Sequence, residues 1–282
     1  MRSFERSFKV EEYDLAATLS SGQAFRWKPR GESWEGVIHG RWIALTQRID
    51  GIDARVAKAV EEWDWLIQYL QLDCDISTVI QTFPKDPHLG EAVSTCKGLR
   101  LLRQEPWECL ASFILSSTKQ IVQIQQIVEL LCARYGEPIA SAAGSAAFAF
   151  PTAAGLAALS EQELRDCKMG FRAPYLARTA RMVQNEVNLD AISKLELERA
   201  REELMKFPGV GRKIADCVLL FAYGFQQAFP VDVWVLKALR QLYFPRRKPT
   251  PGRLLRFTQN YFGPNAGYAQ QYLFHYMRTK RS

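Results

Sequence analysis

Two side chains of this 282-residue chain stand where they could do chemistry together, Lys213 and Asp232. Lys213 follows the turn FPGVGR. There Pro208 and Gly209 end one helical run, because proline lacks an N–H and glycine tolerates positive φ. Val210 puts one apolar side chain into the turn and Gly211 completes it. Helical periodicity then resumes through Ile214, Cys217, Val218, Phe221 and Phe225. Two glycines at such a place leave bare backbone N–H groups facing outward at a helix N-terminus, a geometry that binds an anion such as a DNA phosphate. Lys213 falls in the first turn of that helix, where the positive dipole end disfavours a cation and so favours the free amine. A free amine is a nucleophile that forms Schiff bases at carbon. Asp232, after Pro230 and Val231, opens the segment VWVLKALRQL, where it can cap a helix and present a carboxylate to the same cleft. An amine and a carboxylate beside a phosphate-binding hairpin suit displacement of a base from deoxyribose. The carboxylate would stabilise the cationic sugar and the amine would capture C1′. Singly, Lys213 reads as a phosphate contact and Asp232 as a cap; together at this spacing they favour the reaction.

The elements that must position these residues fall into two kinds. Up to about residue 80, short runs rich in aromatic and β-branched residues (24–27, 34–38, 42–47 and 54–57) are punctuated by Gly31, His39–Gly40 and Asp50–Gly51. That pattern predicts an antiparallel meander preceded by a helix over 13–19. From about 60 the chain turns helical, with pieces over 76–83 and 91–96. Pro106 starts a longer helical region that ends at Gly136 and is broken by the polar run 116–120. A helix pair lies within 161–188 around the turn 168–170. Further helices are predicted over 237–244 and 266–278. The fold class expected is α+β, mostly α: an N-terminal antiparallel β domain with flanking helices over 1–85, then a helical domain over 86–282. The helix–hairpin–helix would span 198–225, with two helical subdomains flanking a cleft. Gln270 and Phe274, four apart, share one helix face, as do Lys213 and Cys217.

Composition narrows the partners. A net charge of +7 fits a polyanion, and residues 1–10 carry Arg2, Glu5, Arg6 and Lys9 in place of an apolar signal core. No apolar run is long enough to span a bilayer, so no membrane partner is expected. The six cysteines (Cys74, Cys96, Cys109, Cys132, Cys167 and Cys217) lack CxxC spacing and read as reduced thiols. The three histidines (His39, His88 and His275) show no metal-ligand spacing, so no metal site is expected. The alanine-rich patch 140–158 reads as a variable linker with short helices. The basic cluster of Arg246, Arg247, Lys248, Arg253 and Arg256, around Pro249 and Pro251, reads as a solvated loop or a phosphate track.

GVGRKIADC followed by FPVDVW resembles the helix–hairpin–helix DNA glycosylases that carry a Gly/Pro-rich loop and an aspartate, and within them the 8-oxoguanine DNA glycosylases of the OGG type. The resemblance runs nearly the whole chain in the same order. It is strongest over 209–232 and weakest at the opposite-strand contacts. It implies a bifunctional glycosylase and abasic-site lyase working by a lysine Schiff base, with Lys213 and Asp232 catalytic and Gly209, Val210 and Gly211 on the DNA backbone. SSGQAFRW resembles the loop whose glycine carbonyl faces the lesion, here Gly22. Oxidised guanine carries a proton on N7 and guanine does not, so one backbone acceptor there separates them. Gln270 would read the base edge, Phe274 would stack on the base, and Cys217 would form the opposite wall. MGFRAPYL resembles a GYRA segment with Phe171 in the tyrosine position, implying a wedge at Phe171 and a contact from Arg172 to the estranged base. The loop entering the vacated space usually carries an asparagine run, but here has Thr118, Lys119 and Gln120. Gln123 stands where an arginine commonly contacts the orphaned cytosine. These departures imply milder selection of the opposite base. The resemblance further implies duplex DNA bearing oxidised guanine as the partner, a monomer, and a place inside the cell with the DNA, in a bacterial cytoplasm or a eukaryotic nucleus. No cofactor would be required, beyond a loosely held monovalent cation at the hairpin. No cysteine follows Cys217, so the four-cysteine iron–sulfur loop of the endonuclease-type relatives is absent. Two other readings fit less of the pattern: a glycosylase for an oxidised pyrimidine or ring-opened purine, and a non-catalytic helix–hairpin–helix DNA binder.

Overall fold

The computed structural model describes residues 3–142, 146–246 and 248–280. Arg247 and part of the alanine-rich patch lie outside the described residues. The fold is α+β and mostly α. An N-terminal antiparallel sheet is followed by helices to the end of the described chain. Five strands, β1 (Ser3–Lys9), β2 (Lys28–Arg30), β3 (Ser33–Ile38), β4 (Arg41–Arg48) and β5 (Gly51–Val60), pair in the order β1-β5-β4-β3-β2. Phe8, Ile38, Ile43, Leu45, Ile52, Ala54 and Val56 form the sheet's contribution to a core shared with Trp27 and Trp63. The helices α1 (Leu15–Ser20) and α2 (Asp64–Leu70) close over it. Asp14 caps α1 by accepting the Ala17 N–H at 2.8 Å, and Gln47 of β4 accepts the Leu15 N–H at 3.0 Å.

Two expectations about this sheet are corrected. The run 24–27, expected as a strand, is loop. Its place is set by the buried Gln23 side chain rather than by a ladder. The Gln23 amide donates to the Thr18 and Arg100 carbonyls, while its oxygen accepts the Leu102 N–H. The edge strand β1 had no counterpart in the sequence reading. Phe8 is its one buried residue, so the alternation that signals a strand is missing.

The helical part contains α3 (Ile76–Gln81), α4 (Pro87–Thr95), α5 (Pro106–Leu115) and α6 (Ile121–Tyr135). A small two-stranded sheet, β6 (Pro138–Ile139) and β7 (Ala147–Phe148), precedes α7 (Ala153–Ala157), α8 (Glu161–Leu164) and α9 (Ala173–Asn185). Then come α10 (Leu197–Met205), α11 (Arg212–Val218), α12 (Val233–Ala238), α13 (Pro251–Tyr261) and α14 (Ala266–Thr279). Among the described residues, no helix is long and apolar enough to cross a membrane. Helix α13 corrects the reading of the basic cluster as loop for Arg253 and Arg256, while Arg246 and Lys248 lie in the loop before it. Pro251 occupies its first turn, where a missing N–H costs nothing, and Thr250 accepts the Arg253 N–H at 3.3 Å. The two cores meet across residues from both halves: Leu102 enters the sheet core, whereas Ala17 and Phe25 enter the helical one. The α1–β2 loop between Ser20 and Lys28 is thereby set against the helices, and the site lies along that seam.

Candidate active site

The hairpin is built by α10, the turn from Lys206 to Gly211, and α11. The Val210 N–H donates to the Phe207 carbonyl at 3.1 Å. Gly209 adopts φ +79°, and an added Cβ there would lie 2.7 Å from the Tyr175 ring. Conformation and packing both require glycine at that position. Gly211, the N-cap of α11, is extended, and an added Cβ would meet nothing within 4 Å. The free protein's packing therefore does not explain glycine at 211. Helix α11 runs on in a wider turn through Leu219–Tyr223 and stops at Gly224, which has φ +74°.

Lys213, half-buried on α11, rests its Nζ 3.2 Å from Ser116 Oγ and 5.5 Å from the centre of the Phe113 ring. The Ser116 hydroxyl donates to the Phe113 carbonyl at 2.7 Å, so toward Lys213 it acts as an acceptor. Asp232 caps α12, its Oδ1 accepting the Trp234 and Val235 N–H groups at 3.0 and 2.8 Å. Among the ion pairs of the described residues none joins Lys213 to Asp232; the amine is held on a neutral oxygen instead. Burial raises the Asp232 carboxyl above its ordinary value, against the pull of the cap N–H groups, Lys213 and Arg278. Burial likewise pushes the Cys217 thiol up to about 12, so Cys217 is a neutral wall.

Lys213, Asp232, Cys217, Gly22, Gln270 and Phe274 together line one narrow slot of about 40 Å³, completed by Phe113, Phe221, Pro230 and Gln271. The slot is the floor of a cleft of about 900 Å³, which adds Ser116 to Ile121, Trp234 and Arg278. Gln270 is 3 % exposed, and its Oε1 is buried without a hydrogen-bond partner. An unpaired buried acceptor costs about 1–3 kcal/mol and calls for a donor brought by a ligand. Gly22 has φ +76°, and an added Cβ would lie 2.5 Å from Ile121 Cδ1 and 3.5 Å from Phe274 Cε1. Its loop is held from both sides: Gln23 pins the segment after it, and Gln271 donates to the Ser21 carbonyl at 3.1 Å. Ser116 as the support of Lys213, and Gln23 and Gln271 as supports of Gly22, were not assigned from sequence. The Gln270–Gln271 pair between apolar and aromatic residues of α14 was the available signal.

The remaining sequence-predicted residues lie outside the slot. Phe171 is 55 % exposed, with its ring edge-on to Tyr175 at 6.3 Å. It is thus tied through Tyr175 to the Gly209 turn. Arg172 is 2 % exposed and not a solvated residue. Its guanidinium lies 4.2 Å from the Phe171 ring centre and donates to Thr118 Oγ1. Thr118, exposed on the cleft rim, has φ +58°, a conformation that a β-branched residue adopts only under constraint. Gln123 does not line the cleft; its side chain accepts the Gln120 N–H at 3.0 Å and caps α6. No group of three or more His, Cys, Asp or Glu able to hold a metal ion occurs among the described residues.

Comparison with known proteins places this geometry. The profile described as "HhH-GPD superfamily base excision DNA repair protein" matches residues 111–264, and "8-oxoguanine DNA glycosylase, N-terminal domain" matches residues 7–110. The chain belongs to the HhH-GPD superfamily of base excision repair proteins. The chain is 30 % identical to the probable N-glycosylase/DNA lyase of Methanothermobacter thermautotrophicus, over 95 % of each chain. It is 32 % identical to N-glycosylase/DNA lyase OGG1 of Arabidopsis thaliana, over 93 % of this chain and 77 % of that one. The Clostridium acetobutylicum 8-oxoguanine glycosylase/lyase, in complex with duplex DNA containing cytosine opposite 8-oxoguanine, superposes with a TM-score of 0.91 at 30 % identity, over 99 % of both chains. Within the superfamily, this chain is a member of the OGG-type 8-oxoguanine DNA glycosylases.

Proposed function

We infer that this chain is a bifunctional DNA glycosylase and abasic-site lyase that excises 8-oxoguanine from duplex DNA inside the cell. The observation that carries the residue-level reading is the slot in which the Lys213 amine, the Asp232 carboxyl and the unpartnered Gln270 oxygen converge. With the lesion nucleotide swung into the cleft, the Lys213 nitrogen bonds to C1′ as the bond to N9 breaks. The base leaves with the bonding electrons and is protonated, while the lysine nitrogen gives up a proton. Asp232 stabilises the positive charge that builds on the sugar. Opening of the sugar ring gives the imine. Loss of a C2′ proton then expels the 3′ phosphate and nicks the strand. Gly22 accepts the N7 proton of the oxidised base, Gln270 takes its Watson–Crick edge, Phe274 stacks on it and Cys217 backs it. Gly209, Val210 and Gly211 hold backbone phosphates. Phe171 fills the stack, and Arg172 and Thr118 face the opposite strand.

No step needs a cofactor, and the chain acts as a monomer. The hairpin turn can offer main-chain oxygens to a monovalent cation, since the Phe207 carbonyl accepts one hydrogen bond and keeps a second lone pair. The test is borohydride trapping on an 8-oxoguanine duplex, set beside oxidised-pyrimidine and ring-opened-purine duplexes. The chain should become covalently linked to the 8-oxoguanine strand, and Lys213→Gln should lower trapping on the order of 10⁴-fold or more. Absence of a wild-type adduct, or an undiminished one from the variant, ends the assignment of the nucleophile.

A further inference from the structure

The slot is narrow for the base it must take, with about 40 Å³ of free space between its walls. Its walls differ in freedom. Cys217, Gln270 and Phe113 are each at most 4 % exposed and fixed in the helical core. Phe274 is only half-buried and closes the slot by leaning toward Gly22, with Cε1 3.5 Å from where a Cβ would stand. One turn further along α14, Arg278 lays its guanidinium 5.3 Å from the centre of the Phe274 ring. The same guanidinium donates to the Ser20 carbonyl at 3.4 Å, at the start of the Gly22 loop. Arg278 also lines the cleft beside Asp232, whose charge acts on it. One side chain therefore touches the movable wall of the slot and the loop opposite it.

We propose that Arg278 is a positioning residue for base recognition, holding the ring of Phe274 at the distance from the Gly22 loop at which a planar oxidised purine is clamped. The cation–π contact restrains the ring without filling the slot, and the bond to Ser20 fixes where that restraint is anchored. This inference rests on the assignment of the slot as the base site. It separates the two half-reactions. Excision needs the base in the slot, whereas the lyase step on a preformed abasic site leaves the slot empty.

Single-turnover excision from an 8-oxoguanine duplex and borohydride trapping on an abasic duplex are measured side by side. Arg278→Ala should slow excision by about tenfold and leave abasic-site trapping within about twofold. Arg278→Lys, which keeps a cation over the ring but loses the planar stack, should recover part of the loss. In a Phe274→Ala background, Arg278→Ala should add less than about twofold, because a residue acting through the ring has nothing left to position. Equal losses in the two assays, no loss in excision, or a full additional tenfold in the Phe274→Ala background would overturn the proposal. If Arg278→Ala does not fold, the same comparisons with Arg278→Gln decide it. A wild-type chain that traps on abasic DNA but does not excise 8-oxoguanine would instead overturn the assignment of the slot.

Discussion

The lesion side and the opposite-strand side of the cleft are built differently. On the proposed lesion side three of the four recognition groups, all but the half-buried Phe274, are fixed by buried neighbours. Gly22 lies between two glutamines that hold its loop, Gln270 is locked in α14, and Cys217 is sealed in α11. The opposite-strand side is a rim. Phe171 and Thr118 are exposed, and a single buried side chain, Arg172, spans between them. Gln123 is occupied as a helix cap. A group held from several sides can reject a base lacking one hydrogen. A rim held by one arginine can fill a gap in the duplex but reads little from the base across it. The molecule should therefore be strict about the damaged base and tolerant of its partner.

The sharpest way to break that contrast is on the lesion side. Asp232→Asn keeps the helix cap and removes the charge, so kcat should fall on the order of 10²–10³-fold while the melting temperature stays close to wild type. Because burial raises this carboxyl, the wild-type enzyme should lose activity on acidification at a pH above the usual aspartate value of about 3.9, as the carboxylate takes its proton. A pH–rate profile with its acid limb at or below that value would remove Asp232 from the ionised role. Gln270→Leu should cost excision about 10- to 100-fold, equivalent to the 1–3 kcal/mol of a lost hydrogen bond in a buried site. The same change should leave the free protein equally or more stable, since an unpartnered buried oxygen disappears. Loss of stability with unchanged excision would mean that the oxygen has a structural partner.

Gly22→Ala meets a left-handed backbone and the Ile121 side chain, and should destabilise the fold by about 1–2 kcal/mol. Selection of oxidised over normal guanine should weaken more than DNA affinity does. Equal losses in a competition assay would reduce Gly22 to a turn residue. The smallest effect belongs to the rim: excision with each of the four bases opposite the lesion should differ by less than about tenfold, or roughly 1.4 kcal/mol. A strong preference for cytosine would show that the rim is as well organised as the slot.

Much of the catalytic hairpin was legible because its chemistry is local. Lys213 and Asp232 are each placed by the turn or cap immediately beside them, and Phe171–Arg172 by the turn before α9. The misread segments are those whose conformation depends on distant partners. The run 24–27 has strand composition, but Gln23 bonds it to Thr18, Arg100 and Leu102 and withholds it from the ladder. Strand β1 buries only Phe8 and exists because β5 supplies its hydrogen bonds. Helix α13 was hidden behind prolines that start it rather than break it. The burial of Arg172 was not legible either, because it depends on the α5–α6 loop lying across from it.

The order of glycine, lysine and aspartate along the chain pointed to the type of chemistry, because φ freedom, helix dipoles and capping act within a few residues of where they are written. Which groups share the slot, what Lys213 rests on, and how tightly each strand of the DNA can be read were decided by folding. Those facts depend on burial and on bonds between residues as far apart as Ser21 and Gln271, and such distances exist only once the sheet and the helices have closed on each other.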